Sequence, residues 1–385
     1  MVEGKKIHVV HLITGLRSGG AENMLFRLLR NIDHDKFHCT VISLTDEGAL
    51  ASEFRAIGIT VHVLEIRSIA SLARGVVRLI RYLNANPCDI IQTWLYHADF
   101  MGLLVSLAKR GAKLLWNIRC SEVTAKDVPL TTLMLTRVLR IFSFVPDMVI
   151  VNSKAGLEFH KSIGYRPSAW HIIYNGFDLS RFSYDLEAGR RMRLSIGIPE
   201  GKPVVGFIAR YDPMKDFPTF LRAMQIVAQR IPEVRIVMAG GGVTSQNKTL
   251  SGFCSEYGIL DKVMLLGERT DIPALLSSFD VLVSSSRSEG FPNVIGEAMA
   301  SSIPCVATKV GDTEILLGEC GRLLPPESPE GLAEAVIELI EMPHEKRSAL
   351  GRKARERIAE KFSMEVSVNQ YEHIYESIAR GILIP

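Results

Sequence analysis

Phe279-Asp-Val-Leu-Val-Ser-Ser-Ser-Arg-Ser-Glu-Gly-Phe-Pro-Asn-Val-Ile-Gly-Glu-Ala-Met-Ala300 reads as one strand, one loop and one helix. The apolar run 279–283 fits a buried parallel strand. A small polar loop follows, then Pro292 and Asn293, then apolar residues at helical spacing: Val294, Ala298 and Met299. Pro near the first helical position and Asn as a cap predict a helix start there. Glu289 thus falls in a loop at the carboxyl edge of a sheet, and Glu297 lies eight residues on, about one turn into the helix. The backbone N–H groups between them, at a helix N-terminus, favour anions and phosphate above all. Carboxylates for sugar hydroxyls beside amides for a diphosphate describe a nucleotide-sugar site.

The chain's 385 residues allow two domains of ordinary size. With 47% hydrophobic and 23% charged residues, it is not a disordered composition. Six scattered cysteines with no C-x-x-C pair predict neither a zinc site nor a disulfide framework, and no metal site is expected. The start, Met1 to Lys6, runs into a strand without a signal-peptide core, and no window reaches about 18 uncharged apolar residues. A cytoplasmic protein is expected, with the inner face of the cell membrane left open. Residues 1–180 carry 21 Lys and Arg against 15 Asp and Glu, a net +6, whereas residues 181–385 carry 24 against 27, a net −3. The basic half suits an anionic acceptor or membrane surface, and equally ordinary surface variation. No nucleic-acid partner is expected.

Outward from the opening stretch, strands alternate with helices. In the first half, strands are predicted at 7–13, 38–44, 60–64, 89–93, 113–118, 148–151 and within 170–178. After the first strand, Gly15-Leu-Arg-Ser-Gly-Gly-Ala-Glu22 opens a helix as a Rossmann-like unit does. The spacing is not G-x-G-x-x-G and no acidic residue ends the next strand, so dinucleotide binding is poorly supported. Gly19 and Gly20 either let the backbone approach a ligand or only shape a turn. His97 and Asp99 follow a strand end, where a catalytic or binding group would stand, and Arg119 ends another strand, where it would meet a phosphate, a carboxylate or a surface partner. Residues 126–145 combine many apolar side chains with Lys126, Arg137 and Arg140, a pattern that fits an anionic bilayer or a core helix.

Residues 181–202 are rich in arginine, end in Pro199-Glu-Gly-Lys-Pro203 and read as a linker between an N-terminal domain (1–180) and a C-terminal domain (203–363). The second half has strands at 204–209, 234–239, 263–267, 279–283 and 304–308, then helices at 329–341, 344–361 and 364–382. Arg210 and Lys215 share one strand-to-helix turn, and two cations there suit a diphosphate without a metal, or are solvated surface charge. The loop Gly240-Gly-Gly242 would approach a base or ribose closely.

Glu289-Gly-Phe-Pro-Asn-Val-Ile-Gly-Glu297 resembles the E-x7-E motif of retaining glycosyltransferases of family 4 (glycosyl transferase group 1), which have the GT-B architecture. Residues 298–308, Gly311-Asp-Thr-Glu-Ile315, 206–215, 239–242, Gly19-Gly20-Ala-Glu22 and Tyr174-Asn-Gly-Phe-Asp178 look like that family too, so the resemblance covers nearly the whole chain. E-x7-E alone is a weak pattern, but in this order with the Arg/Lys loop it is strong. The resemblance implies an α/β fold of two Rossmann-like domains facing across a deep cleft, with the terminal helix (364–385) crossing back to the N-terminal domain. It implies that Glu289 holds hydroxyls of the donor sugar and Glu297 the ribose. Arg210 and Lys215 would bind the diphosphate and assist its departure, without a metal. Gly241 and the backbone around Gly290, Phe291, Pro292, Asn293 and Val294 would surround the donor. Gly19 and Gly20 would close over the phosphates, and His97 would lie near the reacting sugar. Asp99 and Arg119 are acceptor-side candidates. Ser302 and Asp312 stand where glycine is commoner in the family, a departure that bears on loop geometry.

The implied enzyme moves a hexose or N-acetylhexosamine from a nucleotide sugar, UDP being the commonest carrier, to a glycan or lipid-linked acceptor in cell-surface polysaccharide synthesis. The donor is a substrate and no cofactor is expected. A GT-B epimerase or hydrolase and a catalytically silent binding module are the alternatives.

Overall fold

The apolar runs of the first half form seven parallel strands: β1 (Ile7–Ile13), β2 (Phe37–Ser43), β3 (Thr60–Val63), β4 (Ile90–Trp94), β5 (Lys113–Ile118), β6 (Met148–Val151) and β7 (Trp170–Ile172). Their order is β3-β2-β1-β4-β5-β6-β7, with Val9 opposite both Cys39 and Ile90. These coordinates are a computed structural model, which describes residues 5–17, 19–108, 111–121 and 129–382. Neighbouring residues of a strand point to opposite faces, so Val9 and Val10 feed separate apolar layers above and below the sheet. The chain's last helix, Met364–Ala379, completes one of these layers with Tyr371 and Tyr375. Tyr375 donates its hydroxyl proton to Gln92, and Asn117 donates to the Tyr371 hydroxyl at 2.9 Å. Residues up to Gly176 and from Met364 onward therefore make one compact unit.

Phe177–Ser363 makes the other. Its strands are β8 (Val204–Ile208), β9 (Arg235–Ala239), β10 (Val263–Leu265), β11 (Val281–Ser284), β12 (Cys305–Thr308) and β13 (Gly321–Leu324), all parallel in the order β10-β9-β8-β11-β12-β13. The sequence reading missed β13, whose four residues are only half-buried and include a charged Arg322 that pairs with Glu338.

The stretch read as a linker is instead part of this unit. It holds the helix Leu186–Ser195, capped by Asp185, and Arg193 ties that helix to the Ser278 carbonyl and to Asp280 at 2.9 Å. The arginines that looked like linker charge partly serve ion pairs, while Met192 and Ile198 are buried. All six cysteines are free thiols.

Candidate active site

In the C-terminal unit the strand order reverses between β8 and β11, so the loops that follow these strands leave the carboxyl edge side by side. Hydrogen bonds fasten them together. The Ser285 hydroxyl lies 2.9 Å from the Lys215 carbonyl and 3.0 Å from that of Asp216, and the Arg287 N–H donates to the Met214 carbonyl at 2.8 Å. Asp216 has a left-handed φ of 49°, caps the helix Phe217–Arg230 and is bridged by Arg287 at 3.0 Å. With both loops held, Lys215 Nζ sits 2.5 Å from Glu289 Oε1, which also accepts from the Ser286 hydroxyl at 2.7 Å. The two charged side chains are 26% and 14% exposed, enough for a ligand to reach them and too little for water to screen them fully.

Arg210 is different. Its guanidinium is 75% exposed and pairs with Asp212 at 2.8 Å. Desolvation is the largest influence on the Asp212 carboxyl and pushes its pKa up, but the Met214 N–H and Arg210 together hold it below the usual range. Behind Arg210, the Tyr211 N–H donates to the Gly241 carbonyl at 2.8 Å. Gly240 has φ 142°, and a Cβ there would lie 2.0 Å from the Ala209 carbonyl oxygen, so only glycine lets the β9 loop lie against the β8 loop.

Glu289 is braced from its other side by the loop after β12. The Asp312 N–H donates to the Gly290 carbonyl at 3.0 Å. Gly311 has φ 51°, and a Cβ on it would strike the Glu289 carbonyl oxygen at 2.0 Å. The helix Asn293–Ala300 then begins with Pro292 at the cap position and no side-chain cap. Asn293 is its first helical residue, not the cap the sequence predicted, because Pro292 already supplies the extended backbone that ends the loop. The Phe291 side chain is buried against Phe177 and Phe362, with ring centroids 6.1 and 5.6 Å away. Val294 and Glu297 are half-exposed on the first turns of the helix.

In the N-terminal unit the order reverses between β1 and β4. There the loop after β1 is fastened to the loop after β2, by the Thr45 N–H to the Thr14 carbonyl at 3.0 Å and by Arg17 to Asp46 at 3.0 Å, and the strand-end loops surround a cavity of about 1160 Å³ whose walls include Gly15, Glu22, Asp46, Arg67, His97 and Leu135. Gly19 is the extended cap residue of the helix Gly20–Asn31, which has no side-chain cap; the Glu22 carboxylate turns back to its own N–H in the first turn and fills the space beside Gly19. Burial raises the Glu22 pKa. Leu95 takes a left-handed φ of 72° and starts the helix Tyr96–Ala108, which places His97 in its first turn. Burial lowers the His97 pKa, so the imidazole is neutral at pH 7.

Asp99 does not face a ligand. Its side chain is wholly buried, 2.5 Å from the Thr93 hydroxyl, and burial raises its pKa well above the carboxylate range despite that hydrogen bond. One turn of helix past the strand end carries it to the core side, which corrects its assignment as an acceptor contact. Arg119 is half-buried, bonded to Asn175 and set 5.4 Å from the Trp94 ring centroid, while its Nε and Nη1 have no protein partner. Lys126, read as part of a basic apolar helix, lies outside the described residues.

A family model described as Glycosyl transferases group 1 matches residues 190–357, and one described as Glycosyltransferase Family 4 matches residues 18–181. The chain belongs to the family 4 glycosyltransferases. Its two parallel-sheet units are those of the GT-B fold. A crystal structure of Anabaena Alr3699/HepE in complex with UDP and glucose matches with a TM-score of 0.83 at 25% identity, covering 96% of this chain and 100% of that one. A glycosyltransferase from Rickettsia africae matches equally in fold, TM-score 0.83, at 17% identity and over 97% and 99% of the two chains. In sequence, the Bacillus subtilis protein EpsF, named as a glycosyltransferase, is 25% identical over 77% of this chain and 78% of its own. A D-inositol 3-phosphate glycosyltransferase of Corynebacterium urealyticum is 27% identical over 60% of this chain and 57% of its own, so the match spans little more than half of that relative.

Sequence reasoning missed the residues that make this glycosyltransferase site rigid: Ser285, Ser286, Asp216 and Arg287. The run of three serines at the end of β11, Ser284 to Ser286, was the available signal, since hydroxyls at a strand end commonly bond backbone carbonyls of the next loop.

Proposed function

We propose that this glycosyltransferase moves a sugar from a UDP-sugar to a glycan or lipid-linked acceptor with retention of anomeric configuration and without a metal. The observation that carries the reading is the Lys215–Glu289 pair, 2.5 Å apart on two bonded loops at the start of the helix Asn293–Ala300. As the glycosidic bond to the diphosphate lengthens, positive charge develops on the sugar ring and negative charge on the leaving group. Fixed groups aimed at those charges lower the barrier. Lys215, with Arg210 nearby and the helix amides, serves the diphosphate; Glu289, still bonded to Ser286 when Lys215 turns to a phosphate, orients the sugar hydroxyls. Glu297 serves the ribose. Glu289 is an orienting group and not a covalent nucleophile, and mass-spectrometric capture of a glycosylated Glu289 would refute that role. The named UDP and glucose of the Anabaena complex support a uridine carrier. Cell-surface polysaccharide synthesis at the inner face of the membrane belongs to the same reading.

The test is a panel of nucleotide sugars, scored first by thermal shift and then by donor turnover with and without candidate acceptors. The expected result is a shift with a UDP-sugar and turnover that depends on acceptor. Equal turnover without acceptor identifies a hydrolase or epimerase, and binding without turnover a silent module.

A further inference from the structure

The helix Leu130–Ile141 and the turn after it present an apolar face that nothing in the described structure covers. Thirteen large hydrophobic side chains are exposed among the described residues, and six of them fall within residues 130–144. Leu130 is 69% exposed, Met134 65%, Ile141 61% and Phe144 63%, with Val138 and Phe142 at 37% each. They are not scattered. At about 100° per residue, Leu130, Met134, Val138 and Ile141 fall within one strip about 80° wide. Only Thr136 and Leu139 of this helix are buried, on the opposite side.

Among the described residues, the charges on the helix itself are of one sign. Arg137 and Arg140, both exposed, flank the strip, and the Arg166 N–H is bonded to Ser143 at 2.7 Å, which brings a third exposed cation to the C-terminal turn. Pro129 to Pro146 contain no acidic residue, and Asp147 is already paired with Lys113 at 2.9 Å. A protein partner would bring its own hydrogen-bonding edge or acidic groups to specific sites. An apolar strip with guanidinium groups along one border matches the layered chemistry of a lipid interface, acyl chains below and anionic headgroups beside them.

The strip also adjoins the cavity of the N-terminal unit. Thr131 and Leu135, on the side of the helix next to the apolar strip, line that cavity, and its wall continues through Leu72, Phe100 and Met101. We propose that residues 130–144 are a docking surface for an anionic membrane, which seats the mouth of the cavity at the level of the lipid headgroups. Resting on the transferase reading, this gives the acceptor an amphiphilic character, with a lipid anchor held in the membrane.

The test is sedimentation with phosphatidylcholine vesicles, with and without phosphatidylglycerol, for the full chain and a Met134→Glu/Ile141→Glu/Phe144→Glu variant. All three positions are exposed and outside the donor site, so thermal melting and donor turnover in solution are expected to match the parent and confirm folding. The parent is expected to bind the phosphatidylglycerol vesicles, the variant about tenfold less or weaker. Arg137→Glu is expected to weaken binding about fivefold and to reduce its salt sensitivity. A parent that ignores both vesicle types, or a variant that binds as well as the parent, overturns the proposal. So does a parent dimer that the variant splits, measured by light scattering, because the strip would then belong to a second copy. Vesicle binding is read without catalysis, so its failure is distinct from failure of the transferase reading.

Discussion

The two sheets reverse strand order at equivalent places and use those places differently. At β8 and β11 the loops bond to each other and hold a lysine and a carboxylate in contact. At β1 and β4 the loops line a cavity whose walls come from five stretches between Thr14 and Leu135. The first arrangement fixes charge before a ligand arrives, which is what stabilising a departing diphosphate requires. The second pairs Arg17 with Asp46 in the wall of an open cavity that Leu72, Phe100 and Met101 also line, which suits recognition of a partner molecule. One fold therefore carries a chemical edge and a recognition edge.

The largest expected effect breaks the chemical edge alone. Lys215→Ala is expected to lower kcat by on the order of 10² or more, through loss of charge stabilisation of the leaving group. The Glu289 side chain keeps its Ser286 hydrogen bond in that variant, so the loop remains in place. Steady-state kinetics with donor varied at saturating acceptor read the effect. Near-parental kcat would remove the diphosphate role from Lys215 and leave the comparison without its chemical side.

Acid should distinguish the units next. His11 and His160, both fully buried, lie in the N-terminal unit. Burial, with a smaller contribution from His8, lowers His11 to about 3. Burial lowers His160 to about 4 against the opposing pull of its bond to the Gly156 carbonyl. Each folded-state value is below the unfolded value of 6.5, so between them the unfolded chain binds more protons than the native one. The stability from the neutral rings is thus complete above about pH 6.5 and is lost as pH falls towards 4 and 3. Roughly 1–2 kcal/mol per histidine should be gone by pH 5. Hydrogen exchange at pH 7 and pH 5 is expected to show protection falling in residues 7–176 more than in 177–363. Equal loss in both would mean that these rings find water or a proton partner in the native state.

How much of each edge could be read from the amino acids follows from the same contrast. Glu289, Glu297, Arg210 and Lys215 stand in short contiguous stretches, because a helix start and a strand-end loop fix their spacing along the chain. The strands of both sheets except β13 were readable for a similar reason: a strand buried on two faces is an unbroken apolar run, which the half-buried β13 is not. The cavity was not readable. Arg17, Thr45, Arg67 and Leu135 are far apart in sequence and meet only through strand order. Asp99 was misplaced because the helix after β4 begins already at Tyr96, which turns its side chain from the edge to the core. The helix Leu186–Ser195 was hidden by its arginines, of which Arg193 finds its partners about 85 residues away.

The smallest effect tests whether the bracing of the chemical edge extends past the loops that touch Glu289. Ser302 follows the helix Asn293–Ala300 with a left-handed φ of 59°, where the family more often has glycine. A side chain in that region costs about 1–2 kcal/mol, partly offset in a serine-to-glycine change by the greater freedom of glycine in the unfolded chain. The Ser302 backbone is closely packed, since its carbonyl oxygen lies 2.0 Å from where a Cβ on Gly351 would be. Ser302→Gly is therefore expected to stabilise the C-terminal unit by about 0.5–1 kcal/mol and to leave kcat unchanged. Chemical denaturation and turnover measured on the same preparation read both. A gain in stability with a fall in kcat would show that the strained turn sets the tilt of the helix and its amides, extending the chemical edge beyond the three loops that touch Glu289.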